Sequence, residues 1–397
     1  MPYTELNEWD VTTSTLDKVL EKFPQDETGF EPKSVMVGFD GYVDSLYSLV
    51  ATRETPEEFT TMDSMTQFSE RVAGTAGSSC NVERVLKKKI GGGFAPNVGR
   101  ALVNLGMNLH LVASIGFPDV LPLFQEYPPH ILEHVHFLPV NNPGETAGLE
   151  FKDGKVMLTD FGNINGLSWD TIMERLGRDQ FIGVLEQADA IGQGHWSLVP
   201  QMSDMWERMV EDIFPNLSNP KGKRFYVDPA DMTKRSAADI QRMASLMGRV
   251  NEYLKATLSL NDKEAGQIAA TLPDLPGVAM HEDLYGIGRD IEGQVNIDSI
   301  VIHSPHFATA STPDGHYFVK EGFTSGPKFT TAAGDHFNGG VLLGLLQDYT
   351  PAESILLGNA VTAYFVRTGE SPSVEVTRAF IENYMQYIEN DYDYVLG

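Results

Sequence analysis

Short apolar runs alternate along the chain with segments of helical periodicity. Six such runs end in glycine, proline or polar residues, and helical patterns follow most of them: SVMVGFDG, LHLVASIG, ADAIGQG, RFYVDP, ATLSLND and SIVIHSP. Apolar runs of this length are typical of buried strands, and strands separated by helices favour a parallel sheet covered on both faces. The pattern predicts an α/β fold in a single domain that spans residues 1–397.

The same pattern predicts elements outside this alternation. Residues 14–23 place apolar side chains at helical spacing, so we expect a helix within an N-terminal extension over residues 1–30. Two alternating runs flank Lys152-Asp153-Gly154-Lys155, which predicts a hairpin with Asp-Gly in its turn. Residues 45–75 are rich in Thr and Ser and lack sustained periodicity, as is typical of an insertion or flap.

The chain carries a large excess of negative charge. Its 29 Lys and Arg residues against 55 Asp and Glu residues give a net charge of −26 over 397 residues. Such a field repels DNA, RNA and anionic membranes, so we expect neither nucleic acid nor a membrane as a partner. It also repels phosphate-bearing molecules. If a site binds them, we expect a neutral or positive pocket inside an acidic shell.

Cysteine usage and hydropathy bear on the compartment. The single cysteine, Cys80, rules out an intramolecular disulfide and a Cys-cluster metal site. No apolar run approaches the roughly 20 residues that span a bilayer, and the start MPYTELNEWD lacks the features of a secretory signal. We therefore expect a cytoplasmic protein.

The most informative stretch for chemistry spans residues 328–346, KFTTAAGDHFNGGVLLGLL. A small-residue turn delivers Asp335 into the start of a helix whose apolar residues repeat at core spacing. The backbone amides of residues 332–335 would then form an anion hole at the helix N-terminus, where Asp335 could accept a proton. The residues alone also fit an Asp that caps a core helix.

Two further motifs precede predicted helices. The run Gly91–Gly93 allows a ligand to approach the backbone closely, and Asn97 can exchange hydrogen bonds with hydroxyl groups. Asn261 and Glu264 lie three residues apart, a spacing that suits both a capping box and the ordering of metal-bound water. Each motif by itself also fits a purely structural turn or cap.

Histidines supply weaker candidates. The segment HILEHVHFL places His130 and His134 at the spacing of a helical metal-ligand pair, without an adjacent acidic residue. This leaves an α/β metal hydrolase open as an interpretation. His195, followed by Trp196, fits either the lining of a pocket or the cap of a strand.

The order of these motifs resembles the ribokinase, or PfkB, carbohydrate kinase family. Four stretches carry the resemblance, which runs from about residue 33 to the end: VGFDGYVD, GGGFAPNVGRALVNLGMNLHLVASIGFPD, TTAAGDHFNGGVLLGLL and NAVTAYFVRTGESPSVE. The resemblance implies a ribokinase-like three-layer α/β/α domain with a mostly parallel central sheet and a small β-rich lid. The lid would comprise approximately residues 45–75 and 141–163, which in many relatives also join two copies into a homodimer.

The activity that the resemblance implies is ATP-dependent phosphorylation of a hydroxyl group on a sugar or on a sugar-containing molecule such as a nucleoside. Its cofactors would be ATP and Mg²⁺, while a need for a monovalent cation such as K⁺ stays open. Asp335 would be the catalytic base. The backbone of Ala332, Ala333 and Gly334 would form with it the anion hole for the transferred phosphoryl group.

The remaining site residues also follow from the resemblance. Those on the acceptor side would bind the hydroxyl groups of the substrate: Asp44, Gly92, Gly93 and Asn97. Those on the donor side would bind the nucleotide: Asn261, Glu264 and Asn359. Glu264 would in addition contact Mg²⁺ indirectly, through water.

Departures from the family pattern leave a second function open. Phe329 stands where relatives usually carry Asp before two threonines, and Ala332 stands where they carry Gly. The spacing from Gly38 to the acid is longer than in ribokinase-like members, which leaves Asp40 beside our preferred Asp44. The alternative function is a catalytically weak or inactive relative that binds a sugar or nucleotide as a sensor.

Overall fold

Strands and helices alternate through most of the chain in a computed structural model, which describes residues 8–25, 29–273, 275 and 284–396. The strands, in chain order, are β1 Ser34–Phe39, β2 Tyr42–Arg53, β3 Phe59–Thr61, β4 Arg84–Gly92, β5 Asn108–Ala113, β6 Val135–Pro139, β7 Gly144–Phe151, β8 Gly154–Asp160, β9 Ala190–Gly194, β10 Arg224–Val227, β11 Lys255–Asn261, β12 Ser299–His303, β13 Phe307–Thr312 and β14 Gly315–Lys320. The helices are α1 Glu8–Lys22, α2 Met65–Ala73, α3 Phe94–Asn104, α4 Pro129–Leu132, α5 Gly162–Asn165, α6 Trp169–Leu176, α7 Arg178–Gln187, α8 Met202–Asp212, α9 Ala237–Asn251, α10 Asp262–Ala269, α11 Leu284–Val295, α12 Ala333–Leu346, α13 Pro351–Thr368, α14 Val374–Glu382 and α15 Tyr384–Asn390. The predicted α/β class is confirmed.

Within the described residues, nine strands form one sheet in the order β14-β13-β12-β11-β10-β9-β1-β5-β6. The strands from β12 to β6 in this order run parallel, whereas β13 and β14 are antiparallel at one edge. In the centre, Val35 of β1 pairs with Leu109 on one side and Ala190 on the other. The mostly parallel central sheet is therefore as predicted.

Helices cover both faces of this sheet. Successive residues of a strand point to opposite faces, so neighbouring residues of β1 show which helices pack on each face. Val35 and Val37 of β1 belong to a core that includes side chains from α1, α3, α12 and α13. Met36, between them, belongs to a second core with α7, α8 and α9. All three are fully buried, and burying an apolar side chain of this size contributes roughly 1.5–3 kcal/mol. The result is the three-layer arrangement.

A second, smaller sheet is formed by β2, β3, β4, β7 and β8. Strand β2 pairs antiparallel with β3 and β4 and parallel with β7. The hairpin predicted at Lys152-Asp153-Gly154-Lys155 is confirmed, since β7 and β8 pair antiparallel with Phe151 opposite Gly154. This sheet contains much of the chain for which a lid is predicted.

One expectation in this region is wrong. The acids that follow the apolar run SVMVGF suggest that both Asp40 and Asp44 lie at the carboxyl edge of a buried strand, but Asp44 lies within β2, opposite Ile90 of β4. Residues 45–75, expected to form an insertion or flap, contain regular structure, since they continue the 12-residue strand β2 and include β3 and α2. Sustained periodicity is missing from their sequence because the smaller sheet carries many polar side chains, among them Lys88 of β4, so its strands lack the apolar runs of buried ones.

The predicted N-terminal helix is present but begins at Glu8 rather than at residue 14. It packs on the rest of the fold through buried Leu16 and Val19, and Lys22 Nζ lies 2.7 Å from Glu353 Oε2 of α13. Residues 1–7 and 26–28 of the predicted extension lie outside the described residues.

Candidate active site

Polar side chains gather at the carboxyl edge of the central strands. Asp40, His195 and Asp228 directly follow β1, β9 and β10, and Asn261 and His303 end β11 and β12. Parallel strands that neighbour each other end at the same edge, which is where α/β sheets bind ligands. In the sequence, each of these residues is a polar residue that follows an apolar run. Asp228, however, is not among the site residues that the sequence predicts.

Helix α12 brings Asp335 to this edge. The helix begins after Ala332, whose backbone is left-handed with φ 68° and ψ 11°. An L-residue with a Cβ seldom adopts this conformation, and glycine adopts it freely. The turn places Asp335 in the first turn of the helix, where it is 5% exposed.

Some of the backbone amides at this N-terminus can still donate hydrogen bonds to a ligand. The N–H of Ala333 donates to the carbonyl oxygen of Thr330 at 3.3 Å, so it is already engaged. Within the described chain, the amides of Ala332, Gly334 and Asp335 donate to no protein acceptor. These groups and the dipole of a 14-residue helix create positive potential beside Asp335, as an anion hole requires.

Helix α3, from the N-terminal half of the chain, also places a side chain next to Asp335. Asn97 lies in its first turn and donates from Nδ2 to Asp335 Oδ2 at 2.8 Å. Gly93 precedes the helix with φ 101°, and a Cβ added there would lie 3.0 Å from a carboxylate oxygen of Asp40. Glycine is therefore required at this position for conformation and for space.

The structure separates the roles of the two candidate aspartates. Asp40 is fully buried and accepts hydrogen bonds from the amides of Phe94, at 3.0 Å, and Ala95, at 2.9 Å, so it caps α3. Asp44 instead lines the cavity beside Asp335, and burial raises its pKa against the opposing effect of a hydrogen bond from Thr146. A Cβ added at Gly92 would lie 2.5 Å from Asp44 Oδ2. This arrangement supports Asp44 as the acid that faces a ligand.

His195 lies between two carboxylates. Its Nδ1 is 3.3 Å from Asp40 Oδ2, and its Nε2 is 3.3 Å from Asp335 Oδ1. Burial lowers the pKa of the imidazole, but the adjacent carboxylates of Asp335 and Asp40 outweigh burial and hold that pKa well above its usual value. His195 therefore lines the pocket, one of the two roles that its sequence position suggested.

The pair Asn261 and Glu264 forms a complete capping box at the start of α10. The amide of Glu264 donates to Asn261 Oδ1 at 2.9 Å, and the amide of Asn261 donates to Glu264 Oε2 at 2.9 Å. Both residues also line the cavity beside Asp335. Burial and the nearby charge of Asp228 raise the pKa of Glu264 to about 8. The same two residues thus cap the helix and line the cavity.

Three adjoining cavities surround this cluster. The central one, of about 300 Å³, contains Asp335 and His195 in its wall. A second, of about 650 Å³, lies between the end of β12, residues 321–327 and α13, and it meets the first at Gly334. A third, of about 400 Å³, lies against β4, β7 and β8, and it meets the first at Asp44 and Asn97. Two ligands can therefore approach Asp335 from two flanks.

The expectation of a neutral or positive pocket is wrong for the side chains of the central cavity. None of its described lining residues is Lys or Arg, and four carboxylates line it: Asp44, Asp228, Glu264 and Asp335. Each of them has a protein donor. The donors are Thr146 for Asp44, Ala230 and Asn338 for Asp228, Asn261 for Glu264 and Asn97 for Asp335. Positive potential here comes from His195 and from backbone amides.

Other predicted residues lie elsewhere. Asn359 is fully buried in α13, donates to the carbonyl oxygen of Lys320 at 3.1 Å and is not part of the wall of the three cavities. His130 is exposed on α4, and His134 pairs with Asn108. Among the described residues, His195, Asp228 and Asp335 form a group that could hold a metal ion. The histidines of the His130 segment do not belong to that group. A metal hydrolase built on His130 has no support.

Comparison with known proteins identifies the family. A family model described as prokaryotic ketohexokinase matches residues 9–384. The chain belongs to this family. The kinase is 29% identical over 389 residues to a ketohexokinase from Haloferax volcanii, an alignment that covers 96% of this chain and 98% of the relative.

Solved structures share the fold of this kinase at low sequence identity. A carbohydrate kinase from Agrobacterium tumefaciens is 16% identical with a TM-score of 0.59, covering 88% of this chain and 97% of its own. A ribokinase from Arabidopsis thaliana, solved with ribose and ATP, is 12% identical with a TM-score of 0.59, covering 88% and 99%. The predicted ribokinase-like fold is confirmed.

Kinases of this fold use ATP, usually with Mg²⁺, and the residues present fit such a donor. The amides of Gly334 and Asp335 suit a phosphate group, and the 650 Å³ cavity has the size and the apolar wall that suit a nucleoside. Glu264 lines the central cavity with side-chain oxygen atoms, the kind of ligand atom that Mg²⁺ and its water molecules prefer. Across the described part of the chain, no helix is both long enough and apolar enough to cross a membrane.

Proposed function

We propose that this kinase transfers the γ-phosphoryl group of ATP to a hydroxyl group of a ketohexose, with Asp335 as the base. The sequence likeness to the Haloferax volcanii ketohexokinase supports the acceptor class. The observation that carries the reaction is the position of Asp335. Its carboxylate lies in the first turn of α12, next to amides that donate to no protein acceptor within the described chain, in the cavity that both flanking cavities adjoin.

The acceptor would bind where the central cavity meets the cavity under the smaller sheet. Asp44 and Asn97 line both cavities and come from different elements, β2 and α3. A carboxylate accepts hydrogen bonds, and a side-chain amide both donates and accepts them, so the pair suits a molecule with several hydroxyl groups. Gly92 and Gly93 keep the space beside the two aspartates free of side chains.

Asp335 would remove the proton of the attacking hydroxyl group as the new bond to phosphorus forms. Asn97 and His195 hold its two carboxylate oxygens from different sides. Because each oxygen has two lone pairs, Asp335 can keep these contacts and still accept a proton. The amides of Gly334 and Asp335 would stabilise the charge on the transferred group.

The donor would occupy the 650 Å³ cavity. Pro305, Phe323 and Ala363 contribute to its largely apolar wall, which suits a purine base. The cavity meets the central one at Ala333 and Gly334, so the phosphates would extend over the N-terminus of α12. Mg²⁺ bound with the nucleotide would neutralise part of the phosphate charge, and Glu264 would contact the ion through water.

The smaller sheet would act as a lid over the acceptor. Leu46, Ile90 and Met157 of this sheet line the 400 Å³ cavity, so closure would exclude water from the acceptor.

We also propose that this sheet joins two copies into a homodimer. In the single chain it leaves the apolar side chains of Leu86 and Leu158 53% and 58% exposed.

A ligand sensor with little turnover is a second candidate. Ala332 holds the turn that carries the amides in a left-handed conformation that an L-residue seldom adopts, and the ring of Phe329 packs against Gly369, where an added Cβ would lie 2.5 Å from it. Both residues depart from the family pattern at the anion hole. Such a protein would gain thermal stability from a sugar or nucleotide but would release no ADP.

A substrate panel tests the proposal. ADP release would be measured with ATP and Mg²⁺, with and without K⁺, in the presence of fructose and other ketohexoses, glucose, ribose and nucleosides. We expect turnover with a ketohexose and a phosphorylated product by mass spectrometry. Turnover with nucleosides alone would overturn the acceptor class. A thermal shift without ADP release for any acceptor would favour the sensor.

A further inference from the structure

The smaller sheet turns one of its faces toward the central cavity. Residues that lie opposite each other on neighbouring strands have adjacent side chains on the same face. Asp44 of β2 lies opposite Thr146 of β7, and Thr146 lies opposite Thr159 of β8. All three residues line the central cavity. They form a row of polar side chains across three strands.

Tyr42 belongs to the next row on this face, because it lies two residues before Asp44 on β2. Its partners on the neighbouring strands are Gly92 of β4 and Gly144 of β7, which have no side chains. The phenol ring lies against Gly144, where an added Cβ would be 2.7 Å from a ring carbon. The ring of Phe161 meets it edge to face, with the centroids 6.0 Å apart. These contacts fix the position of the Tyr42 ring in the cavity wall.

The hydroxyl group of Tyr42 is buried without a protein partner. Tyr42 is 5% exposed and lines the central cavity, and within the described chain its Oη has no hydrogen-bond partner. The hydroxyl groups of Thr146 and Thr159 differ in this respect, since they lie 3.3 Å from each other. Burial and the charges of Asp40 and Asp44 raise the pKa of the phenol, so the group keeps its proton at neutral pH. Buried polar groups in native proteins are nearly always hydrogen-bonded, so this donor is suited to a ligand that enters the cavity.

We infer that Tyr42 binds the acceptor and contributes to its selection. Its hydroxyl group donates a hydrogen bond to the oxygen atom of one hydroxyl group of the ketohexose, beside the hydroxyl groups that Asp44 binds. The row that contains Thr146 and Thr159 lies next to it and suits the same polyhydroxy molecule. The inference rests on the proposed acceptor site and adds a residue to it.

The two acidic and phenolic side chains select different features of the sugar. An ionised Asp44 only accepts hydrogen bonds, so it needs the hydrogen atom of a hydroxyl group. Tyr42 donates, so it needs the oxygen atom of a hydroxyl group. A sugar that lacks this oxygen atom would displace water from the cavity and still leave the buried phenol unpaired, and such an analogue is rejected.

The variant Tyr42→Phe removes the hydroxyl group and keeps the ring. We expect KM for the ketohexose to rise about three- to tenfold, because one hydrogen bond between neutral groups is lost. The values of kcat and of KM for ATP should each change less than about twofold, since Tyr42 does not line the donor cavity. The free energy of unfolding should not fall, because the hydroxyl group has no protein partner to lose within the described chain.

Two other tyrosines supply matched controls. Tyr384 is fully buried, and its hydroxyl group donates to the carbonyl oxygen of Lys320 at 2.7 Å. Tyr384→Phe should therefore lower the free energy of unfolding and leave KM for the sugar unchanged. Tyr394 is 52% exposed and lines none of the three cavities, so Tyr394→Phe should equal the wild type in both measurements. The contrast between Tyr42→Phe and Tyr384→Phe separates a ligand contact from a structural one.

Ketohexose analogues that each lack one hydroxyl group identify the atom that Tyr42 contacts. For analogues that keep the contacted hydroxyl group, Tyr42→Phe should lose the same factor in kcat/KM as it loses with the parent sugar. For the analogue that lacks it, the wild type and Tyr42→Phe should have equal kcat/KM, because neither protein can form the bond.

Three results would each overturn the inference: an unchanged KM of Tyr42→Phe for the ketohexose, a Tyr42→Phe protein that is less stable than the wild type, or an equal loss with every analogue. Turnover of nucleosides alone by the wild type would instead overturn the proposed acceptor class. If the wild type phosphorylates a ketohexose and Tyr42→Phe keeps the wild-type KM, only the role of Tyr42 fails.

Discussion

The side-chain amide of Asn97 donates to Asp335 Oδ2 at 2.8 Å, although the two residues are 238 positions apart in the chain. Each residue lies in the first turn of a helix, α3 for Asn97 and α12 for Asp335. The bond joins a residue of the acceptor cavity to the proposed base. In the proposed function, acceptor binding and proton transfer would therefore depend on one shared contact.

Replacing Asn97 with Leu removes this donor while keeping a similar volume. A hydrogen bond to a charged group is worth about 1.5–3 kcal/mol, so we expect kcat/KM for the sugar to fall roughly 10–100-fold. KM for ATP should change little, because Asn97 does not line the donor cavity. Steady-state kinetics checks this, with the exposed Asn390→Leu as control. Equal losses in KM for both substrates would contradict it.

Replacing Ala332 with Gly should stabilise the protein. The left-handed backbone of Ala332, at φ 68°, costs an L-residue about 1 kcal/mol, and glycine removes that cost. We expect the free energy of unfolding to rise by about 0.5–1 kcal/mol in urea titrations, with activity kept. The control Ala333→Gly, one residue further into α12, should lower it by about the same amount. If both variants lose stability, the strain assigned to Ala332 is wrong.

Gly92 protects the position of Asp44. The Cβ of Gly92→Ala would lie 2.5 Å from Asp44 Oδ2, and the carboxylate would have to turn away from the acceptor. We expect KM for the sugar to rise about tenfold with little change in KM for ATP. Gly183→Ala, which meets open space in α7, is the matched control and should leave both constants unchanged. An unchanged KM for the sugar would remove Asp44 from the acceptor site.

His336 makes folding sensitive to acid. Burial lowers its pKa to about 4, against the opposing effects of the Ala332 carbonyl and the Asp335 charge. The unfolded chain binds a proton near pH 6.5, so stability is lost as pH falls from about 6.5 toward 4. We expect this residue to lower the free energy of unfolding by about 2 kcal/mol between pH 7 and pH 5.

Urea titrations at the two pH values check this expectation. His336→Gln should lose less stability on acidification than the wild type, whereas His134→Gln, at an exposed position, should lose as much. Parallel losses for His336→Gln and the wild type would show that His336 does not titrate in this range.

The central sheet was predictable because its strands are buried on both faces and appear as continuous apolar runs. In the smaller sheet, the hairpin of β7 and β8 was predictable, but β2, β3 and β4 were not, because residues such as Lys88 and Lys89 of β4 are exposed, and an exposed strand needs no apolar run. Its partners are also distant, since β2 pairs with β7 about 100 residues later. Pairing at that separation depends on the fold as a whole.

The site residues that belong to a single short motif were predictable. They are Asp335, in the turn before α12, and Asn97, which follows a run of glycines. His195 and Asp228 were harder, because each is a single polar residue after a strand and acquires its role only from neighbours far along the chain. The distinction between Asp40 and Asp44 likewise depended on which of them caps α3. The net charge of −26 does not reveal that each carboxylate of the central cavity accepts a hydrogen bond from the protein.

The most direct test of the central claim is the turnover of Asp335→Asn with ATP, Mg²⁺ and the best ketohexose of the panel. Asparagine keeps the size of the side chain but cannot accept the hydroxyl proton, so kcat should fall about 10²–10⁴-fold, while calorimetry shows that sugar and ATP still bind. Asp17→Asn, at an exposed position of α1, should keep wild-type turnover. An Asp335→Asn protein that retains more than about a tenth of wild-type kcat would contradict the account.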